Sequence, residues 1–138
     1  MGLQGKTIGA CFGRFDIVHY GHVNMLNWCK SLVDVLLVGV ASDEYCERRK
    51  PAAHAWRDRA TVVAALKPVD SVFCYNAHEL VALWEETEAA DVMFLNPEMK
   101  AGTERRSSLP RLRELAKVIW IPRTPDISVT QYCGMKGK

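Results

Sequence analysis

Five apolar runs alternate with amphipathic segments along the chain, and this alternation constrains the fold more than any other feature. The apolar runs lie at 6–12, 35–41, 70–75, 91–96 and 117–121. The segments with helical spacing lie at 21–32, 57–66, 78–89 and 108–116, with a short one at 128–134. Strands that are apolar throughout are buried on both faces, as in a parallel sheet covered by helices. The sequence therefore predicts an α/β fold: a Rossmann-like, parallel five-stranded sheet with helices on both faces.

Length, charge and cysteine content limit the class of protein. A chain of 138 residues without repeats or linkers is expected to form one domain over 1–138. Its net charge of +2 is too small to indicate a nucleic-acid partner, and no apolar run is long enough to span a bilayer. The five cysteines form no CxxC pair, which is typical of reduced thiols. We therefore expect a cytoplasmic protein without a signal peptide, membrane partner or metal cluster, in which Cys11, Cys29 and Cys74 lie in the core.

The segment at 13–22 reads GRFDIVHYGH and joins the first strand to the first helix. The start of a helix attracts anions because its first N–H groups are unpaired and its dipole is positive there. Gly13 and Gly21 carry no side chain, so a polyphosphate could approach the backbone closely. His19 and His22 are three residues apart, which places both rings on one side of the first helical turn. The segment is therefore predicted to bind phosphate through two imidazoles, the alternative being two histidines that only cap the helix.

This segment resembles the HxGH signature of the nucleotidyltransferase superfamily, and its form Gly-x-Phe-Asp-x-x-His-x-Gly-His is most similar to the cytidylyltransferase branch. The resemblance implies a nucleotidyltransferase-type α/β fold and catalytic roles for His19 and His22. It also implies that the nucleotide is bound by Gly13, Arg14, Phe15, Asp16 and Gly21. A lone aspartate in a turn more often supports the turn itself. Asp16 could also contribute to a metal site or to the structure of the turn, of which the turn is favoured, and no residue is singled out as a metal ligand.

A second motif follows the last long apolar run, where 123–130 reads RTPDISVT. It resembles the RTxGISTT element that closes the nucleotide site of cytidylyltransferases. The resemblance implies a catalytic charge from Arg123, whose planar guanidinium suits phosphate oxygens. The same resemblance implies nucleotide contacts from Thr124, Ile127, Ser128 and Thr130. Taken alone, Ser128 would be an ordinary N-cap of a short helix.

Departures from that pattern leave the nucleotide base open. Asp126 stands where the pattern has glycine, and Val129 replaces the first threonine of its closing pair. The remaining Ser128-x-Thr130 resembles the ISxT form of adenylyltransferases. The Gly-Arg-Phe at 13–15 is similar to the start of nicotinamide mononucleotide adenylyltransferases. CTP is the favoured substrate on the HxGH pattern, and ATP is the alternative.

A basic loop lies between the two motifs, directly after the second predicted strand. Arg48, Arg49 and Lys50 precede the helix that begins near 57. Glycerol-3-phosphate cytidylyltransferases carry a catalytic lysine in the matching region and an arginine at the next helix start. The resemblance implies that Lys50 is catalytic and that Arg59 binds the nucleotide. Spacing does not determine which of the three basic residues reaches phosphate, and a solvated basic loop is the alternative.

The resemblance implies a reaction in which an acceptor phosphate attacks the α-phosphate of a nucleoside triphosphate and pyrophosphate leaves. It implies Mg²⁺ as the cofactor, in keeping with the charge of the triphosphate, and a homodimer as the assembly. The partners are the triphosphate and a phosphorylated small molecule, similar to glycerol 3-phosphate or a sugar phosphate. Nothing at 96–106 matches the acceptor element of the glycerol-phosphate enzymes, although Lys100, Arg105 and Arg106 could bind a phosphate there.

Two other classes of function are compatible with these motifs. One is an adenylyltransferase that uses ATP with a sugar phosphate or a nucleotide as acceptor. The other is a nucleotide-binding module without turnover, with which the replacement of the pattern's threonine by Val129 is compatible. A class I aminoacyl-tRNA synthetase fragment is disfavoured because the chain is short and lacks a KMSKS loop.

Overall fold

The computed structural model describes residues 5–96 and 108–122, which form five parallel strands and five helices. The strands are β1 (Ile8–Gly13), β2 (Val35–Ala41), β3 (Ser71–Tyr75), β4 (Val92–Leu95) and β5 (Lys117–Trp120). The helices are α1 (Tyr20–Lys30), α2 (Asp43–Glu47), α3 (Trp56–Ala64), α4 (Leu80–Glu86) and α5 (Leu109–Leu115). The predicted α/β fold with a parallel five-stranded sheet is confirmed.

The strands lie in the order β3-β2-β1-β4-β5 across the sheet. The direction in which successive strands are added therefore reverses between β1 and β4. From β1 the chain moves outward to β2 and β3, and then returns to the other side of β1 for β4 and β5. Every neighbouring pair of strands is parallel. At such a switch point the loops diverge and leave a crevice at the carboxyl ends of the strands, where ligands bind. The turn after β1 ends at His19, and His22 lies in the first turn of α1, so both histidines lie at this crevice.

Helices cover both faces of the sheet, so each central strand is buried on two sides. On one face, α4 and α5 pack on the sheet around Leu112, and Phe12 of β1 belongs to this cluster. On the other face, α1 and α3 pack around Leu26, and Cys11 of β1 belongs to that second cluster. The alternation of adjacent β1 residues between two clusters is the physical reason for the unbroken apolar runs in the sequence.

Two of the three cysteines predicted to lie in the core do so. Cys11 and Cys29 are fully buried, and the hydrogen bond between them, together with burial, holds the pKa of the Cys11 thiol well above its usual value. The prediction for Cys74 is wrong, because its side chain is exposed. Its strand, β3, is at the edge of the sheet, and periodicity along a single strand does not distinguish an edge from a centre.

Three aspartates at the amino ends of strands form hydrogen bonds with neighbouring strands. Each stands one residue before β2, β3 or β4, and its carboxylate accepts a hydrogen bond from a backbone N–H at the start of an adjacent strand. The pairs are Asp34 with Thr7 (2.8 Å), Asp70 with Leu36 (2.8 Å) and Asp91 with Ile8 (3.0 Å). These contacts fix the register of the sheet at the end opposite the crevice.

Helix α2 was not predicted from the sequence. It has only five residues, too few for a recognisable apolar period. Its start is stabilised by Ser42, whose hydroxyl accepts a hydrogen bond from the Tyr45 N–H at 2.9 Å. The short helix predicted at 128–134 lies outside the described residues. None of the helices in 5–96 and 108–122 is long and apolar enough to cross a membrane.

Candidate active site

The turn from β1 into α1 is closed by the two histidines of the HxGH segment. His19 is the N-cap of α1, and its Nδ1 accepts a hydrogen bond from the Gly21 N–H at 3.1 Å. The Nδ1 of His22 accepts in return from the His19 N–H at 3.2 Å. This reciprocal pair is a capping box built from imidazoles, where carboxylates and hydroxyls are usual. The N–H of Gly21 is therefore engaged by His19, and the nucleotide contact of Gly21 that the resemblance implies stays a prediction.

The two caps determine which ring nitrogen carries the proton. A neutral imidazole has one N–H, and a nitrogen that accepts a hydrogen bond carries none. Because Nδ1 accepts in both His19 and His22, the proton of each neutral ring is on Nε2. The ring centres are 4.3 Å apart, so the pair presents two N–H donors side by side. The two interpretations of these histidines, helix cap and phosphate donor, use different atoms and are compatible.

The environment of His22 favours its neutral form. Burial, with a smaller contribution from the nearby His19, lowers the pKa of His22 from 6.5 to about 4. Protonation would also place a hydrogen on Nδ1, which could then no longer accept from the His19 N–H. At neutral pH His22 is consequently an uncharged Nε2–H donor.

The lowered pKa of His22 predicts a pH-dependent stability. Between about pH 4 and 6.5 the unfolded chain binds the proton more readily than the folded chain, so the free energy of unfolding rises with pH across this range. Because His22 is partly exposed, we expect the contribution to be only ~1–2 kcal/mol. This stabilisation by the neutral His22 is present in full above pH 6.5 and is lost as the pH falls toward 4. Urea unfolding of the wild type and of His22→Asn across this range measures it; equal slopes in both proteins would contradict the assignment.

Phe15 occupies an unusual backbone conformation beneath this pair. Its φ is +52°, which is rare for a bulky residue, and its side chain is only 4% exposed. A Cβ on Gly13 would lie 2.8 Å from Cε2 of Phe15. Packing of the Phe15 ring over Gly13 is thus one reason for glycine at this position. The Phe15 ring belongs to the core, and the nucleotide contacts implied for Gly13 and Phe15 stay predictions.

Asp16 holds the loop before α3 against the turn after β1. Its carboxylate accepts hydrogen bonds from the Ala53 N–H at 2.8 Å and from the His54 N–H at 3.1 Å. Its Oδ1 also lies 3.2 Å from Nδ1 of His54. The bond from the Ala53 N–H, followed by those from His54, lowers the pKa of the Asp16 carboxyl. The carboxylate therefore supports the turn and its neighbouring loop, in agreement with the structural role expected of a lone aspartate in a turn, and the nucleotide contact implied by the resemblance stays a prediction.

Arg59 is buried and protein acceptors engage its guanidinium, which favours a structural role over the predicted contact with the nucleotide. It is 1% exposed, and its guanidinium donates to groups from four separate segments. The acceptors are the carbonyls of His54, Arg14 and Ala41, each at 2.8 Å, and the Asp43 carboxylate at 2.7 Å. Arg59 is consequently a buried brace that joins the turn after β1, the end of β2 and the loop before α3. Sequence reasoning missed Asp43, for which the available signal was a carboxylate directly after a strand end.

The three basic residues at 48–50 are all exposed. The Arg48 guanidinium donates to the Asn76 carbonyl at 3.2 Å and lies 5.6 Å from the centre of the Tyr45 ring. It is therefore directed toward the connection after β3. Lys50 is exposed just beyond α2, and its contact with phosphate stays a prediction. The predicted site residues Arg123, Thr124, Ile127, Ser128 and Thr130 lie outside the described residues, as do Lys100, Arg105 and Arg106.

Two adjacent histidines at the start of the helix that follows β1, at the switch point of a parallel five-stranded sheet, fit the nucleotidyltransferase-type α/β fold that the HxGH segment implies. The model of the cytidylyltransferase-like family matches residues 10–133, and the chain belongs to this family. It is accordingly an enzyme of the nucleotidyltransferase type.

The relatives differ in their named activity, since one is a cytidylyltransferase and another is an FAD synthase. Glycerol-3-phosphate cytidylyltransferase of Bacillus spizizenii is 30% identical over 121 residues, covering 87% of this chain and 89% of that protein. FAD synthase of Pyrococcus horikoshii is 37% identical over 106 residues, covering 75% and 72%. The solved structure of a lipopolysaccharide core biosynthesis protein from Thermoplasma volcanium superposes with a TM-score of 0.73 at 26% identity, covering 86% of this chain and 98% of that one.

Proposed function

We propose that this enzyme transfers CMP from CTP to a phosphorylated small molecule, with release of pyrophosphate. The observation that carries the proposal is the pair of adjacent imidazoles after β1, in which Nδ1 of each ring accepts a backbone N–H and Nε2 is left for a ligand at the crevice between β1 and β4. The similarity to glycerol-3-phosphate cytidylyltransferase over 87% of the chain supports CTP and a glycerol-phosphate-like or sugar-phosphate acceptor.

The proposed chemistry needs positioning and charge stabilisation more than a protein nucleophile. An oxygen of the acceptor phosphate attacks the α-phosphorus in line, and the bond to the bridging oxygen breaks as pyrophosphate leaves with the electron pair. The acceptor phosphate is already ionised at neutral pH, so no general base is required. His19 and His22 donate from Nε2 to the α-phosphate and bridging oxygens, whose negative charge increases in the transition state.

Cationic side chains complete the proposed site. Lys50 would neutralise the phosphates from the loop after α2, and the orientation of Arg48 toward Asn76 favours Lys50 or Arg49 for this contact. Arg123 would serve the same purpose from the segment after β5. Arg59 acts indirectly, because its donors hold Arg14 and His54 in place.

Mg²⁺ would enter with the triphosphate as its counter-ion. Residues 5–96 and 108–122 contain no group of three or more His, Cys, Asp or Glu side chains arranged to hold a metal ion. The nearby carboxylates of Asp16 and Asp43 are engaged with backbone N–H groups and with Arg59. No protein cage for the ion is therefore proposed, and the phosphate oxygens would be its main ligands. A homodimer is retained as a proposal that rests on the resemblance alone, and a cytoplasmic location as one that rests on the cysteine content of the sequence.

The second candidate function is transfer of AMP from ATP. The FAD synthase of P. horikoshii is more similar to this chain by identity, at 37%, than the cytidylyltransferase is, although it covers less of the chain. An adenylyltransferase would use the same imidazole pair and differ only in the pocket for the base.

Nucleotide-dependent thermal stabilisation distinguishes the two candidates. A ligand that binds only the folded protein stabilises it by about 2.7 kcal/mol at a hundredfold excess over its Kd. With Mg²⁺ present, we expect a larger rise in melting temperature with CTP than with ATP, GTP or UTP, and pyrophosphate alone controls for binding of phosphate without a base. Pyrophosphate release with CTP and phosphorylated alcohols then tests turnover. A selective shift with ATP would favour the adenylyltransferase, and no shift with any triphosphate would contradict the proposed site.

A further inference from the structure

Phe15 combines a strained backbone with a buried ring beside a reacting group. A positive φ in a bulky residue has an energetic cost of about 1–3 kcal/mol and persists only where the surroundings enforce it. Here the ring packs over Gly13 and its centre lies 5.5 Å from that of His22. The strained turn therefore places an aromatic ring next to His22 as well as over Gly13.

We propose that Phe15 is a positioning residue whose ring shields His22 from water and keeps it as the neutral Nε2–H donor of the imidazole pair. The donor role rests on the proposed function, whereas the shielding does not. The ring is 4% exposed and belongs to the same apolar cluster as Leu26 of α1. Removal of the ring would open the side of His22 that faces the core.

Shielding has a direct consequence for the capping box. Water near His22 would stabilise its protonated form, in which Nδ1 carries a hydrogen. That hydrogen would replace the bond at 3.2 Å that Nδ1 accepts from the His19 N–H. Protonation would thus disturb the cap and the orientation of both rings together, and Phe15 prevents it at neutral pH.

Few other charges act on His22 from the described residues. His19 is the titratable group whose charge lowers its pKa, and the first turn of α1 carries no acidic residue. In the turn after β1, Asp16 is bound to the loop at 53–54, and Arg14 is the remaining charged residue. Desolvation by the surrounding apolar groups is consequently the largest influence, and Phe15 is the aromatic ring that supplies part of it.

An NMR titration of His22 tests this proposal without any nucleotide. Phe15→Gly removes the ring while glycine tolerates the positive φ, and Phe15→Leu retains apolar bulk. We expect the pKa of His22 to rise by at least about one unit in Phe15→Gly and to stay near the wild-type value in Phe15→Leu. The His22 resonance is assigned by its loss in His22→Asn. Phe73→Leu, which alters a ring that packs against Phe12, controls for general loosening of the fold.

The outcomes separate this inference from the proposed function. Unchanged titration of His22 in a folded Phe15→Gly protein would overturn the inference, whether or not the enzyme uses CTP. If that variant does not fold, Phe15→Asn replaces it, because asparagine also tolerates a positive φ. Failure of both variants to fold would identify Phe15 as a residue needed for stability and would equally overturn the proposal. In active protein, the acid limb of the kcat/KM profile should move to higher pH in Phe15→Gly only.

Discussion

Replacement of His19 by asparagine is expected to lower kcat for nucleotide transfer by about 10²–10³-fold while the protein stays folded. Asparagine is a good N-cap residue, and its side-chain oxygen can accept from the Gly21 N–H as Nδ1 of His19 does. The variant thus preserves the cap and removes only the Nε2–H donor. Steady-state kinetics with saturating substrates, together with urea unfolding, measure the two effects separately.

Two further variants make this test specific. His19→Ala removes the cap as well as the donor, so it should lose about 1 kcal/mol of stability in addition to activity. The double variant His19→Asn with His22→Asn should be less harmful than the product of the single losses, because the rings act as a unit. Near-normal turnover of folded His19→Asn would contradict a catalytic role for this histidine and leave it as a helix cap.

Replacement of Arg59 by methionine is expected to reduce the free energy of unfolding by about 3–5 kcal/mol. The substitution leaves the carbonyls of Arg14, Ala41 and His54 without this donor, the first and last partly buried and that of Ala41 buried, and an unsatisfied buried group costs roughly 1–3 kcal/mol. Arg59→Lys should recover only part of the loss, because an ammonium group cannot match the guanidinium fork. Urea unfolding at neutral pH measures both variants.

Arg57 offers a matched control on the same helix. It lies two residues before Arg59 in α3 but is exposed, so Arg57→Met should change stability by no more than about 0.5 kcal/mol. If Arg59 instead bound phosphate directly, Arg59→Met would weaken triphosphate binding with little effect on folding. Equal stability of the two methionine variants would contradict the buried brace.

The HxGH segment is the part of the site that the sequence predicted best. Its position after the first strand and its spacing of two histidines follow from local order, and both features hold in the structure. The sequence left open whether these histidines cap the helix or face a ligand. The structure shows that Nδ1 of each ring caps the helix, and the proposed contact with phosphate uses the other nitrogen, Nε2, so that the two roles are compatible.

Arg59, Phe15 and Gly13 mark the limit of sequence reasoning at this site. A charged residue at a helix start near two phosphate motifs favours a phosphate ligand, and a glycine before a helix favours close approach of an anion. The direction of each side chain depends instead on what packs around it. Arg59 binds residues as far as 45 positions away in the sequence, and Phe15 turns back over Gly13 only because its φ is positive.

The sequence by itself determined the order and type of the principal strands and helices, the parallel sheet and the turn that carries the histidines. These features arise from apolar periodicity and from hydrogen bonds between residues close in the chain, which any local window contains. The tertiary structure alone decided the edge position of Cys74, the contacts of Asp16 with 53–54 and the burial of Arg59. Each of these depends on contacts between segments that are distant in sequence, and the free energy of such contacts is defined only once the whole sheet and its helices are in place.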